Sequence, residues 1–233
     1  MTLLDYPGKV ACTVFLGGCD FRCPFCHNAD ILDMGAEAFI QEEEFFSFLK
    51  TRTGLLEGVA VTGGEPLLRR DIGQFLEKIK TLGFPVKLDT NGNHPDVLKE
   101  IVKAGLVDYV AMDIKNCPER YAETIGLSED TGDMAFSGKR WNIGAVCESK
   151  DYLIKSHEID YEFRTTFVRE FHDEEAVKGI ASFIEGAEKY FVQNFTDREG
   201  VAFEGLHGFD RPSLETFRDI LAGHAASVQI RGL

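Results

Sequence analysis

The chain has 233 residues, 44% hydrophobic and 27% charged, with a formal net charge of −14. That composition, with 19 phenylalanines for a core, excludes a disordered chain. No stretch approaches the roughly 18 apolar residues of a membrane span, and the first nine residues lack the basic-then-apolar pattern of an export signal. The acidity argues against nucleic acid and anionic membranes as partners. A cytoplasmic protein is expected.

In chain order, the apolar run 10–16 predicts a buried strand that enters Gly17-Gly18 and a cysteine-rich loop, 17–28. Residues 42–50 predict a helix with Phe45, Phe48 and Leu49 on its buried side. A second strand is expected over 58–62. Ile72, Phe75, Leu76 and Ile79 fall at i, i+3, i+4 and i+7, a helix that Gly83 stops. Residues 86–89 predict a third strand. A helix over 95–104 buries Val97, Leu98, Ile101 and Val102 and stops at Gly105. A fourth strand covers 109–113. Residues 128–138 break the rhythm and are expected to form a mobile loop. Then come a helix over 139–155, a strand over 161–167 and a helix marked by Val177, Ile180, Ala181 and Ile184. A strand over 190–195 and a helix over 213–221 follow. The tail, 228–232, predicts a short strand whose Arg231 either closes the barrel bottom or is solvated.

Alternating strands and helices predict an α/β fold with a parallel sheet and outer crossover helices. No linker interrupts the chain, so a single domain over 1–233 is expected. About six strand–helix units fit, too few for a closed eight-fold barrel, which makes the expected architecture a partial, TIM-like (βα)6 barrel. Gly63, Asp89 and Asp113 lie 26 and 24 positions apart, so polar clusters recur at the C-terminal end of each strand. In a parallel barrel those ends share one mouth, where ligands bind.

Three of the six cysteines fall within eight residues as Cys19-x3-Cys23-x2-Cys26. In a cytosolic chain such spacing reads as metal binding rather than disulfides. Zinc would need a fourth ligand, and His27 is poorly placed for it beside Cys26. Cys23-Pro24-Phe25-Cys26-His27 also fits c-type haem attachment, which would need export. Coincidence in a loop is a further reading. The remaining one is an iron–sulfur cluster with three cysteine ligands, which leaves one iron open. Cys12, inside the first strand, reads as a small buried hydrophobe.

Cys-x3-Cys-x2-Cys with Phe25 before the third cysteine resembles the radical S-adenosylmethionine (SAM) signature. The resemblance implies a [4Fe–4S] cluster on Cys19, Cys23 and Cys26 whose unique iron takes the amino and carboxylate groups of SAM. Gly63-Gly64-Glu65-Pro66 is similar to the family's Gly-Gly-Glu-Pro motif, which receives the SAM amino group. Alone it could be a strand-to-helix turn whose glycines let backbone carbonyls approach a ligand. Asp89-Thr90-Asn91-Gly92 could cap a helix, but it resembles the Asp-Thr-Asn-Gly of glycyl-radical-enzyme activases, where the Asp accepts from the SAM ammonium. Asp113-Ile114-Lys115 could be a surface ion pair. The matching motif implies Lys115 on the SAM carboxylate and Asp113 on the ribose hydroxyls. Strand alternation puts both on one side. Arg164, inside a strand, must be paired or face the cavity, towards SAM or the substrate backbone. His207 flanks the adenine, as a late histidine does in relatives, or sits on a surface loop.

Asp5-Tyr6-Pro7-Gly8-Lys9 and Tyr190-Phe191-Val192-Gln193-Asn194-Phe195 resemble the longer type of anaerobic ribonucleoside-triphosphate reductase activating protein. The chain starts late against that pattern, with Thr2 where Ser is usual, which puts a first edge strand in question. The resemblance implies that flavodoxin or ferredoxin reduces the cluster and that SAM is cleaved to methionine and a 5′-deoxyadenosyl radical. That radical takes a hydrogen from a glycine Cα of a partner glycyl radical enzyme, here anaerobic ribonucleotide reductase. Pyruvate formate-lyase or another glycyl radical enzyme is the alternative partner. A radical SAM enzyme acting on a small molecule or peptide, and a non-catalytic electron-transfer module, are the rival readings. No catalytic acid, base or nucleophile is expected from the side chains.

Overall fold

The computed structural model of the chain describes residues 1–33, 35, 38–127, 143–198 and 200–232. Among these residues seven strands form one sheet: β1 (Ala11–Leu16), β2 (Gly58–Gly63), β3 (Val86–Thr90), β4 (Tyr109–Asp113), β5 (Asp160–Phe167), β6 (Ala187–Asn194) and β7 (Ala225–Arg231). They pair in chain order and every pair is parallel. The helices α1 (Glu42–Lys50), α2 (Ile72–Thr81), α3 (Pro95–Lys103), α4 (Tyr121–Thr124), α5 (Gly144–Ser156), α6 (Glu174–Phe183) and α7 (Arg211–Leu221) fill the crossovers. Six strand–helix units are therefore followed by a seventh strand. β1 and β7 are the two edges, so the barrel is open. The loop expected over 128–138 and the first residues of the helix expected from 139 lie outside the described residues.

Local chemistry explains the helix positions. Three glutamates in the first turn of α1 and Lys50 in its last complement the helix dipole. Pro95 opens α3, where its missing N–H costs nothing. Asp173 and Asp210 cap α6 and α7 by accepting from the backbone N–H groups of Ala176 and Ser213. The periodic apolar residues Ile72, Phe75, Leu76 and Ile79 are all buried against the sheet.

Side chains alternate along the strands, and one face looks into the barrel. On β5 that face carries Glu162 and Arg164; on β3, Lys87 and Asp89. Thr2 bridges antiparallel to Ala11 and covers the lower edge of β1.

The tail forms a longer strand than the sequence suggests, because its mixed residues AASVQIR obscure the alternation. Arg231 is not simply solvated. It lies at the C-terminal end of β7, and its guanidinium crosses the Phe191 ring at 3.2 Å from the centroid. Beyond the ring it makes two bonds, 2.7 and 3.0 Å, to the fully buried Glu162 carboxylate. Tyr109 donates to the same carboxylate at 2.9 Å. Arg231 thus ties β7 to β5 below the mouth.

Removing one partner of a buried ion pair strands the other charge, at a cost of about 3 kcal/mol. Arg231→Ala is therefore expected to lower the urea midpoint of the apo-protein markedly. Adding Glu162→Gln should recover part of that loss. An Arg231→Ala midpoint equal to the parent's would show that the pair does not hold the strand.

Candidate functional site

Cys19, Cys23, Phe25, Cys26, Gly63, Gly64, Asp89, Thr90, Asn91, Asp113, Lys115 and Arg164 line one cavity at the C-terminal ends of the strands. Glu65, Pro66 and His207 do not line it. Glu65 and Pro66 are buried beneath it. His207 is 66% exposed in the loop after β6 and pairs with Glu170 at 2.8 Å.

The cluster loop and the end of β2 interlock at the glycines. A Cβ on Gly63, whose φ is +137°, would meet the Leu16 carbonyl oxygen at 2.1 Å, and one on Gly64 would meet that of Gly18 at 2.0 Å. The space a side chain would take holds the backbone of β1 and of the cluster loop, while both glycines still line the cavity. The Gly64 and Glu65 N–H groups donate to the Leu16 and Gly18 carbonyls at 3.0 and 2.7 Å.

Charged side chains form an alternating chain across the barrel: Lys87, Asp89, Arg164, Asp113, Lys115. Lys87, 2% exposed, bonds Asp89. Arg164 reaches Asp89 at 3.3 Å and Asp113 at 2.6 Å. Lys115 bonds the other oxygen of Asp113 at 2.8 Å. Burial would raise the Asp113 carboxyl, but Arg164 and then Lys115 outweigh it and hold it well below the carboxylate range. Burial would likewise lower Lys115, and Asp113 holds it above its usual value. All three groups stay charged. Within this chain of charges, Asp89, Asp113, Lys115 and Arg164 line the cavity, two anions against two cations.

Buried carboxylates organise the loops around this chain. Glu65 accepts from Leu67 N–H at 3.0 Å, Thr90 Oγ1 at 2.9 Å and Asn91 N–H at 2.6 Å. Burial and the nearby Asp20 charge raise its pKa to about 7. Sequence reasoning missed Asp20, in the cluster loop, which accepts from Asn91, Asn93 and His94. It also missed His172, whose Nδ1 accepts from Val168 N–H at 3.1 Å while Nε2 donates to the Lys115 carbonyl at 2.9 Å. Burial pushes that imidazole down, so it is neutral. Phe25 packs near Phe171 and His172, with ring centroids 5.7 and 6.5 Å away. Lys87 carried a signal, a charge two residues before Asp89 on the same face of a buried strand. Asp20, His94 and His172 had none, because their partners are distant in sequence.

The donor set fits an iron–sulfur cluster. All three loop cysteines are free thiols on one cavity wall. Burial pushes Cys19 up, and Cys23 up to about 12. Metal binding would deprotonate them. Among the described residues no three His, Cys, Asp or Glu side chains converge on a single-ion site, as zinc would need. A cluster asks less, since each thiolate binds a different iron. His27 is engaged elsewhere: its Nε2 bonds the Thr196 carbonyl at 2.8 Å and its ring stacks on Phe195.

The Radical SAM superfamily matches residues 13–137, more than half of the sequence. The chain belongs to the radical SAM superfamily. Members use a [4Fe–4S] cluster and SAM, and this chain is an enzyme of that kind. The Methanocaldococcus jannaschii protein named "Putative glycyl-radical enzyme activating enzyme MJ1227" is 34% identical over 202 residues, 85% of this chain and 78% of its own. A pyruvate formate-lyase-activating enzyme of Listeria monocytogenes is 30% identical over 135 residues, 52% of this chain and 53% of that one. A 7-carboxy-7-deazaguanine synthase of Koribacter versatilis is 28% identical over 180 residues, 76% and 70% of the two chains. The chain therefore stands with the glycyl-radical activating enzymes of the superfamily. Among solved structures, Streptococcus suis SuiB bound to S-adenosylmethionine superposes with a TM-score of 0.71 at 12% identity. The match covers 98% of this chain but only 51% of SuiB, so this chain spans about half of that protein, and the likeness shows the fold.

The pKa shifts set a pH profile for the apo-protein. Glu65 and His94 are raised from 4.5 and 6.5. For His94, pairing with Asp20 outweighs a burial that would lower it. Their contributions are full below those ordinary values and are lost as pH rises through the folded ones. Asp20 is lowered from 3.8, its hydrogen bonds outweighing burial, so its contribution is lost as pH falls through its folded value. Apo stability is therefore expected to peak near about pH 5 and fall towards pH 8. Glu65→Gln should flatten the falling limb. Thermal melts across that range check this, and an unchanged slope in Glu65→Gln would refute it.

Proposed function

We propose that this chain installs a glycyl radical on anaerobic ribonucleoside-triphosphate reductase in the cytoplasm, with flavodoxin or ferredoxin as electron donor. The observation that carries the reading is the convergence of Cys19, Cys23 and Cys26 with Asp89, Asp113 and Lys115 on one cavity. These are the residues that match the activase motifs. Asp5-Tyr6-Pro7-Gly8-Lys9 supports the choice of partner. No helix among the described residues is long and apolar enough to cross a membrane.

The three cysteines would hold the cluster. Asp89 would accept from the SAM ammonium, Lys115 would take its carboxylate and Asp113 its ribose hydroxyls. Gly63 and Gly64, which line the cavity, would present backbone carbonyls to the ammonium, and Glu65 beneath them would hold the Asn91 peptide. Together the bound cluster and SAM supply one-electron cleavage of a sulfonium and, with it, hydrogen-atom abstraction.

The protein binds, orients and excludes water. Lys87 bonds one oxygen of Asp89 and Arg164 approaches the other, which fixes the carboxylate without consuming all its acceptor capacity. Arg164 holds Asp89 and Asp113 at a fixed separation. His172, bonded to the Lys115 carbonyl, holds the end of β4. His207, outside the cavity wall, would reach the adenine only through a movement of its loop. The open edge between β1 and β7 suits entry of a glycine-bearing loop.

With anaerobically reconstituted protein, dithionite and SAM, 5′-deoxyadenosine and a partner glycyl-radical EPR doublet are expected together. Asp89→Ala removes a charge-assisted hydrogen bond and should weaken SAM binding about tenfold or more. Product without a radical on the reductase would redirect the reading to another glycyl radical enzyme or a small-molecule substrate. A cluster whose EPR signal ignores SAM would end it.

A further inference from the structure

Asn91 sits between two buried carboxylates. Its backbone N–H donates to Glu65, as described above. Its side-chain Nδ2 donates to Asp20 Oδ1 at 2.8 Å. Asp20 is 4% exposed and follows the cluster ligand Cys19 directly. Its second oxygen accepts from Asn93 Nδ2 at 2.6 Å and His94 Nε2 at 3.0 Å. One carboxylate in the cluster loop therefore collects three donors from residues 91–94, the segment that runs from β3 into α3. Asp89, the residue matched to the SAM ammonium, lies two positions before Asn91.

We propose that Asp20 is a positioning residue that locks the cluster loop to the Asp89–Asn91 loop, and so sets where SAM lies relative to the cluster. The geometry favours this over simple packing. A buried carboxylate needs its charge compensated, and here every donor comes from the one loop whose placement relative to Cys19 matters for SAM. A chain of local bonds within 17–28 would satisfy Asp20 without coupling the two loops. Glu65 makes the matching tie from the end of β2, so the Asn91 peptide and side chain are held from opposite sides. Asp20 itself is not required to touch either cofactor.

The inference rests on the SAM site described above but not on any glycyl radical partner. Its test is therefore run with SAM alone, and a missing partner radical does not affect it. Asp20→Ala, Asp20→Glu and Asn93→Ala are reconstituted, reduced with dithionite and titrated with SAM, following the change in the cluster EPR signal. Asp20→Ala should hold iron and give the parent's signal without SAM, while needing at least tenfold more SAM to change it. Asp20→Glu should recover part of the response, and Asn93→Ala should weaken it several-fold. A residue that merely stabilises the fold would lower the melting temperature and leave the SAM titration unmoved, and parent-like SAM affinity in Asp20→Ala overturns the proposal. Should Asp20→Ala fail to take up iron, Asn93→Ala decides: a parent-like titration overturns the proposal, and a several-fold loss upholds it.

Discussion

The interior of this barrel is built around mutual neutralisation of charge. Lys87, Asp89, Arg164 and Asp113 come from three adjacent strands and Lys115 from just beyond β4, and all five side chains are largely buried. Each anion lies between two cations, so each charge is held in place by the ones beside it. The parallel register makes this possible, because Asp113 pairs with Arg164 across β4 and β5. A one-residue slip in either strand would send a charge into the apolar layer beneath the helices. The charged chain thus specifies the register of the central strands as well as the chemistry of the mouth.

The same constraint shapes the loops. The mouth must hold a cysteine-rich segment backbone to backbone against the end of β2 and through side chains against the segment after β3. Gly63 and Gly64 let the backbones touch. Glu65 and Asp20 then collect the N–H groups that such close packing leaves unpaired. The residues around SAM in the proposed function form an outer ring on this scaffold, and the open edge leaves one side free. Below the mouth, Glu162 with Tyr109 and Arg231 repeats the pattern of a buried carboxylate bonded from neighbouring strands.

A strongly acidic chain keeps this cavity from being acidic. The net charge of −14 belongs to the solvated surfaces, as in the glutamates that open α1. The charged side chains that line the cavity balance, two of each sign. That contrast arises from placement of the residues and not from their number.

Much of this was legible in the sequence. Strand–helix alternation gave the parallel sheet, the cysteine spacing gave the cluster ligands as a candidate set, and polar residues at the strand ends pointed to one mouth. These signals are local: hydrophobic period, motif spacing and glycine placement depend on residues near one another in the chain. Tertiary structure decided what depends on distant pairs. It paired Arg231 with Glu162, drew Asp20 to residues 91–94, bonded His172 to the Lys115 carbonyl and left His207 outside the cavity wall. It also packed the Gly63-Gly64 pair directly against the Leu16 and Gly18 carbonyls. A sequence displays which residues can carry charge or donate a hydrogen bond. Only the folded chain decides which partner each one meets, because burial makes an unmet one costly.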